Sequence, residues 1–246
     1  NFNFGLLKNI AAFDLKSKYS FVKDLHINDY NNLSKIEILS KYRLLAQKNA
    51  EVGGDFAFFK THSSNININN YPYTNKDNVR GIIYVIRDPR DIVISYSYHL
   101  NASIDETIEI ITNQKYFVNY DSLPYLMSSW DLHYQSWINL KVPKLIIKYE
   151  DMINNTSNKL NDIFSFFSNN FGFSFNKSAL FSNILNSTNF LALQNLEKES
   201  GFNEAKKQKK FFRKGKINQW KKILSKDQVK RINKEFESTM VELKYL

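Results

Sequence analysis

Gly81-Ile82-Ile83-Tyr84-Val85-Ile86 is an unbroken apolar run rich in β-branched side chains, and it stops abruptly at Arg87-Asp88-Pro89-Arg90-Asp91. A strand covered on both faces in a parallel sheet reads as a continuous apolar stretch, because neither face calls for polar residues. The residues after it read as a helix start. Asp88 can cap it, Pro89 suits its first turn, and Asp91, three residues after the cap, favours the same terminus. Residues Pro143 to Tyr149 repeat the idea, with Leu145-Ile146-Ile147 running into Tyr149-Glu150-Asp151 and a helix beyond, from about Ser157 to Phe167. Apolar strands alternating with helices imply an α/β domain with a mainly parallel central sheet flanked by helices. Ligands in such folds lie at the carboxyl ends of strands.

Upstream, residues up to about Ala50 read as helical, and Gly53-Gly54 breaks that pattern. Phe56-Ala57-Phe58-Phe59 then forms a short apolar run ending in Lys60-Thr61-His62, followed by a Ser/Asn loop through Asn70. This is the pattern of a buried strand that delivers polar groups at its end. Trp130, His133 and Trp137 fall at i, i+3 and i+7, which is the spacing of a helix face turned to the core. His133 is therefore read as structural. With 246 residues and 43% hydrophobic content, residues 1–246 are expected to form one domain.

The composition removes several kinds of chemistry. The absence of Cys excludes disulfides, thiol nucleophiles and thiolate metal sites together, and fits a reducing compartment. The four His residues (His26, His62, His99, His133) show no metal-ligand spacing. No apolar run reaches the ~18 residues that a spanning helix requires. Charge is uneven: between Ala205 and Lys234 stand 13 basic residues and one acid, Asp227, so this stretch holds +12 while the whole chain sums to +10. A solvated helix face and an anion- or nucleic-acid-binding strip both fit it. Arg occurs only six times among 34 basic residues. Each one is more informative for that, since planar bidentate contact with phosphate favours Arg over Lys.

Arg87 ends one strand and Ser95 lies eight residues on, about two turns into the helix that Asp88-Pro89 starts. A guanidinium fork, a hydroxyl and a helix N-terminus make a phosphate-binding group. The competing reading is an Arg87–Asp91 surface pair with an incidental Ser95.

The thirteen residues Tyr84-Val85-Ile86-Arg87-Asp88-Pro89-Arg90-Asp91-Ile92-Val93-Ile94-Ser95-Tyr96 resemble a segment of the cytosolic-type sulfotransferases, a P-loop-like family. In that family such an Arg and Ser bind the 3′-phosphate of the donor 3′-phosphoadenosine 5′-phosphosulfate (PAPS). Four further segments resemble the family in the same order. Phe59-Lys60-Thr61-His62 is similar to its Lys-Thr-His segment, which implies His62 as base and Lys60 near the transferred group. Lys148-Tyr149-Glu150-Asp151-Met152 is similar to its Tyr-Glu-Asp segment, whose Tyr approaches the adenine. Thr188-Asn189-Phe190 resembles the Thr-Ser-Phe element bordering the adenine. Phe211-Phe212-Arg213-Lys214-Gly215, followed by Trp220-Lys221, resembles the Arg-Lys-Gly loop and its Trp.

The resemblance implies a cytoplasmic, metal-free transfer of a sulfuryl group from PAPS to a hydroxyl or amine of a small-molecule or carbohydrate acceptor. A P-loop-type nucleotide or sugar kinase and a basic nucleic-acid-binding protein using Ala205–Lys234 are the alternatives. The kinase would need a Gly-Lys-Ser/Thr loop, which the sequence lacks. Nor is anything similar to the family's Tyr-Pro-Lys-Ser-Gly-Thr-Thr-Trp loop present, whose amides and Lys hold the 5′-phosphosulfate. The resemblance thus leads to the expectation that a central strand and this donor loop belong before Asn1. The family's dimer segment would align with Lys221, Ser225, Lys226 and Lys230, where its Val and Glu are both replaced by Lys. The oligomeric state stays open on that account.

Overall fold

A computed structural model describes residues 11–12, 44, 47, 58–68, 70–118, 125–202 and 210–246. The helical reading of the first fifty residues and the Gly53-Gly54 break fall outside this set, apart from Leu44 and Gln47, which are helical. The described residues divide into two compact units, one within Ile83–Glu109 and Pro143–Leu246, the other within Lys8–Ile82 and Ile110–Val142.

In the first unit, β3 (Ile82–Ile86) is hydrogen-bonded to β6 (Lys144–Lys148). Each strand hands over to a helix: β3 to α1 (Pro89–Leu100), and β6 to α4 (Tyr149–Asn154) and α5 (Thr156–Phe171). The cap on α1 is the one the sequence implies, with the Asp88 carboxylate accepting from the Arg90 amide at 2.9 Å and Pro89 in the first turn. Asn101 in the left-handed conformation (φ 60°) closes the other end. Ile86, Val93, Ile147, Leu160, Phe164 and Ile232 are buried and make this unit's core.

The apolar run of β3 behaves differently from the expectation of two covered faces. Ile86 is buried, yet Ile83 and Val85 are 39% and 55% exposed, as is Ile146 of β6 at 38%. Side chains alternate along a strand, so one face of each packs on the helices while the other lies open. Further helices complete the unit: α6 (Lys177–Thr188), α7 (Phe190–Ser200), the short α8 (Trp220–Ile223), α9 (Lys226–Glu235) and α10 (Glu237–Glu242). Both α8 and α9 pack on α1. A capping box in which Ser225 and Gln228 bond each other's backbone starts α9.

In the second unit, β1 (Ala11–Ala12) pairs in parallel with β2 (Phe59–Lys60), and β4 (Phe117–Val118) pairs antiparallel with β5 (Tyr125–Leu126). Helix α3 (Trp130–Ile138) buries Trp130, Tyr134 and Trp137. The tryptophan stripe is a core face, as its spacing implies. Helix α2 is Ile104–Thr112, whose residues up to Glu109 belong to the first unit, and no helix of the described chain is long and apolar enough to cross a membrane.

Candidate active site

Arg87 and Tyr149 are the first residues after β3 and β6, so pairing of the strands brings their side chains side by side. The guanidinium carbon lies 4.5 Å from the centroid of the Tyr149 ring, within the range of a cation–π contact. Burial holds the Tyr149 phenol above its ordinary pKa, with the Arg87 charge pulling the other way. One residue further along each segment lies a second link, the Asp88 amide donating to Glu150 Oε1 at 3.0 Å. Two adjacent rungs therefore tie the strand ends together.

The segment from Lys210 to Trp220 is fastened across these rungs. Arg87 Nη2 donates to Lys216 O at 2.8 Å, and the fully buried Asp91 accepts from the amides of Asn218 (2.7 Å) and Trp220 (3.0 Å). The Arg87–Asp91 pair exists, at 3.6 Å. Asp91 is not a surface partner, however. Its carboxylate is occupied in holding this segment, a role that its place at a helix start does not suggest. Arg90 is tied to Asp88 by three bonds of 2.7–3.2 Å and stacks on the Trp220 ring at 3.9 Å.

Helix α7 holds the other end of the segment. Glu197 accepts from the amides of Phe211 (2.6 Å) and Phe212 (3.0 Å), while Gln194 donates to Phe212 O at 2.7 Å. Phe190, first in α7, stands against Gly215, and Arg213 lies over the Tyr98 ring of α1 at 4.5 Å. Arg87, Tyr149, Phe190, Arg213 and Gly215 are thus gathered into one group. Ser95 and Lys214 are exposed, and Thr188 turns its hydroxyl back to Ile184 O at 2.7 Å within α6.

Lys60 and His62 belong to the second unit. Lys60 ends β2 and is exposed; His62 lies two residues on, also exposed, its ring 6.1 Å from that of Tyr125. The backbone around His62 is held at several points by α3 and β5. Trp137 Nε1 donates to Ser63 O at 3.0 Å, and Ser136 Oγ accepts from the Asn65 amide at 2.8 Å. Ser64 donates through both its amide (2.7 Å) and its hydroxyl (2.8 Å) to Leu126 O. Tyr73 OH donates to Thr61 Oγ1 at 2.6 Å. His133 Nε2 meets His62 O at 3.3 Å, and since a carbonyl only accepts, that nitrogen holds the proton. Burial pushes the His133 imidazole down to about 4, so it is neutral at ordinary pH.

Sequence reasoning missed Glu150, Asp91, Gln194 and Glu197 as holders of the site. Glu150 stands inside the Lys148–Met152 motif, so its position was the available signal; Gln194 and Glu197 had none. Among the described residues no cluster of His, Asp or Glu is placed to hold a metal ion.

Strands that each hand over to a helix, in a sheet flanked by helices, place the chain in the α/β class. The chain matches the family model of the sulfotransferase domain over residues 7–244, and it belongs to that family. No curated protein matches it. Among solved structures it is similar to the mouse sulfotransferase SULT7A1 complexed with PAP, at 20% identity and a TM-score of 0.58, over 81% of this chain and 70% of that one. It is also similar to retinol dehydratase in complex with androsterone and inactive cofactor PAP, at 18% identity and a TM-score of 0.57. The complex of retinol dehydratase with retinol and PAP gives 18% and 0.56. Both of these matches cover 91% of this chain but only 64% of the other, less than two thirds of its length. The likenesses establish the fold as that of the sulfotransferases, with a mainly parallel sheet flanked by helices.

Proposed function

We propose that this chain binds PAPS and transfers its sulfuryl group to a hydroxyl or amine of a small-molecule or carbohydrate acceptor in the cytoplasm. The observation that carries this reading is the seat of Arg87, at the end of β3, over Tyr149 at the end of β6 and bonded to Lys216 O. A guanidinium placed there suits the 3′-phosphate, with the Ser95 hydroxyl on the following helix as a second donor. Tyr149, Thr188 and Phe190 border the adenine, and Arg213, Lys214 and Gly215 form the loop that closes on the phosphate.

The transfer step falls to the second unit. His62 takes the acceptor's proton as the acceptor oxygen or nitrogen bonds to sulfur and the bond from sulfur to the phosphate oxygen breaks. Lys60 stabilises the charge that develops on that departing oxygen. Residues 1–246 act in this reading as a single sulfotransferase domain.

Two measurements test it: titration calorimetry with 3′,5′-adenosine bisphosphate (PAP), and transfer of label from PAPS to a panel of acceptors. Binding of PAP with micromolar or better affinity is expected. A chain that ignores PAP, yet binds unrelated RNA with steep salt dependence, belongs to the nucleic-acid reading instead.

A further inference from the structure

The donor-site reading leaves unexplained a group of half-buried side chains, Lys148, Glu150 and Tyr245, beside the Arg87–Tyr149 pair. Glu150 is divided between two partners. Its Oε1 accepts from the Asp88 amide at 3.0 Å, and its Oε2 accepts from the Tyr245 hydroxyl at 3.0 Å. Residue 245 reaches the same two strand ends by other routes too. Tyr245 O accepts from Arg90 Nη2 at 2.9 Å, and Arg90 is itself clamped to Asp88. Lys148, the last residue of β6, donates to Leu243 O and lies 4.5 Å from the Tyr245 ring centroid. Residues 243–245 therefore hold both strand ends one residue away from the two side chains that face the donor.

We infer that Tyr245 and Glu150 are positioning residues for the donor: they form a clasp that fixes the spacing between Arg87 and Tyr149. Neither touches the nucleotide. Their effect is passed on by adjacency in the chain. Arg87 is joined to Asp88 and Tyr149 to Glu150 by single peptide bonds, so a rigid Asp88–Glu150–Tyr245 chain leaves the guanidinium and the phenol ring little freedom to part. Sites that must hold a ligand to within about 0.5 Å depend on such supporting bonds. Burial and the neighbouring Glu150 carboxylate push the Tyr245 phenol far up, which keeps its proton in place to be donated. Lys148 stacked on the same ring adds a second restraint on its orientation.

The clasp rests on the proposed donor site, and calorimetry with PAP on the whole chain separates the two. Tyr245→Phe deletes one oxygen and should weaken PAP binding about three- to ten-fold, the range expected for one lost internal hydrogen bond. Ile232→Val loosens the fully buried core of α9 without touching the clasp and should leave PAP affinity unchanged. At Glu150 the conservative change is the decisive one. Glu150→Ala should weaken binding at least as much as Tyr245→Phe. Glu150→Gln, whose amide can accept from Asp88 and donate to Tyr245, should restore most of the loss. Wild-type affinity in Tyr245→Phe, equal losses in Glu150→Gln and Glu150→Ala, or a matching loss in Ile232→Val would each overturn the clasp. No PAP binding by the wild type would overturn the donor site, and the clasp with it.

Discussion

Gly215 and Phe190 meet so closely that a methyl group added to the glycine would lie 2.6 Å from two carbons of the aromatic ring. Gly215 also has φ +59°, in the left-handed region where side chains are disfavoured. The segment that brings Arg213 to Tyr98 thus turns at a residue where any side chain is disfavoured for two independent reasons.

Gly215→Ala should accordingly destabilise the chain by about 2–4 kcal/mol, combining a left-handed backbone penalty with displacement of the ring. A double-mutant cycle with Phe190→Ala tells the two apart. Removing the ring should recover the steric part and leave the backbone part. An additive cycle would mean that the ring already gives way freely.

Arg87 should account for most of the response to PAP. At a ligand concentration 100 times the dissociation constant, binding is worth about 2.7 kcal/mol of stability. Thermal unfolding of wild type with and without PAP should show that gain, and Arg87→Ala should lose most of it. The comparison is made within each variant, because Arg87→Ala also removes the bond to Lys216 O. A ligand-induced shift of the same size in both would place the phosphate elsewhere.

His62→Ala should lower kcat by roughly 10²–10⁴-fold, the range for loss of a general base. Donor KM should hardly change. The backbone bonds of Ser63, Ser64 and Asn65 do not involve the imidazole, so the loop stays anchored when it is removed. Loss of donor binding with turnover intact would take His62 out of the proton-transfer role.

His133 should give the fold an acid-sensitive margin. Its imidazole is held down to about 4 by burial, whereas an unfolded His titrates near 6.5. Between those values the unfolded chain binds a proton that the folded chain does not. Its contribution to stability is therefore complete above about pH 6.5 and is lost as pH falls toward 4, with a slope of at most about 1.4 kcal/mol per pH unit. Urea unfolding from pH 4.5 to 7 measures it, and His133→Gln should flatten that slope. If the profile of His133→Gln runs parallel to the wild type, other groups set the acid limit.

How much could be read from the residues alone depends on the range of the forces involved. The Asp88 cap, the Pro89 turn and the strand ending at Arg87 are local, and each was legible because its chemistry lies within a few positions. The tryptophan stripe of α3 was legible for the same reason, through its period. Asp91 shows where this stops: its spacing fits a helix start, but its carboxylate serves amides more than 120 residues away, at Asn218 and Trp220. Glu150 and Tyr245 are likewise 95 residues apart. No local pattern encodes such a meeting. The exposure of Ile83 and Val85 is of the same kind, since an apolar run says that a strand can be covered and not what covers it.

Trp220 gives the arrangement a practical reading. The chain has three tryptophans. Trp130 and Trp137 are buried in the second unit, whereas Trp220 is the one indole of the first, stacked on Arg90 at 3.9 Å with its amide bonded to Asp91. Its ring nitrogen is buried without a hydrogen-bond partner among the described residues. Emission from Trp220 therefore senses whether the loop after Gly215 is seated. With Trp130 and Trp137 replaced by phenylalanine, the colour of the remaining fluorescence becomes a built-in gauge of that seating, readable in a cuvette without any label.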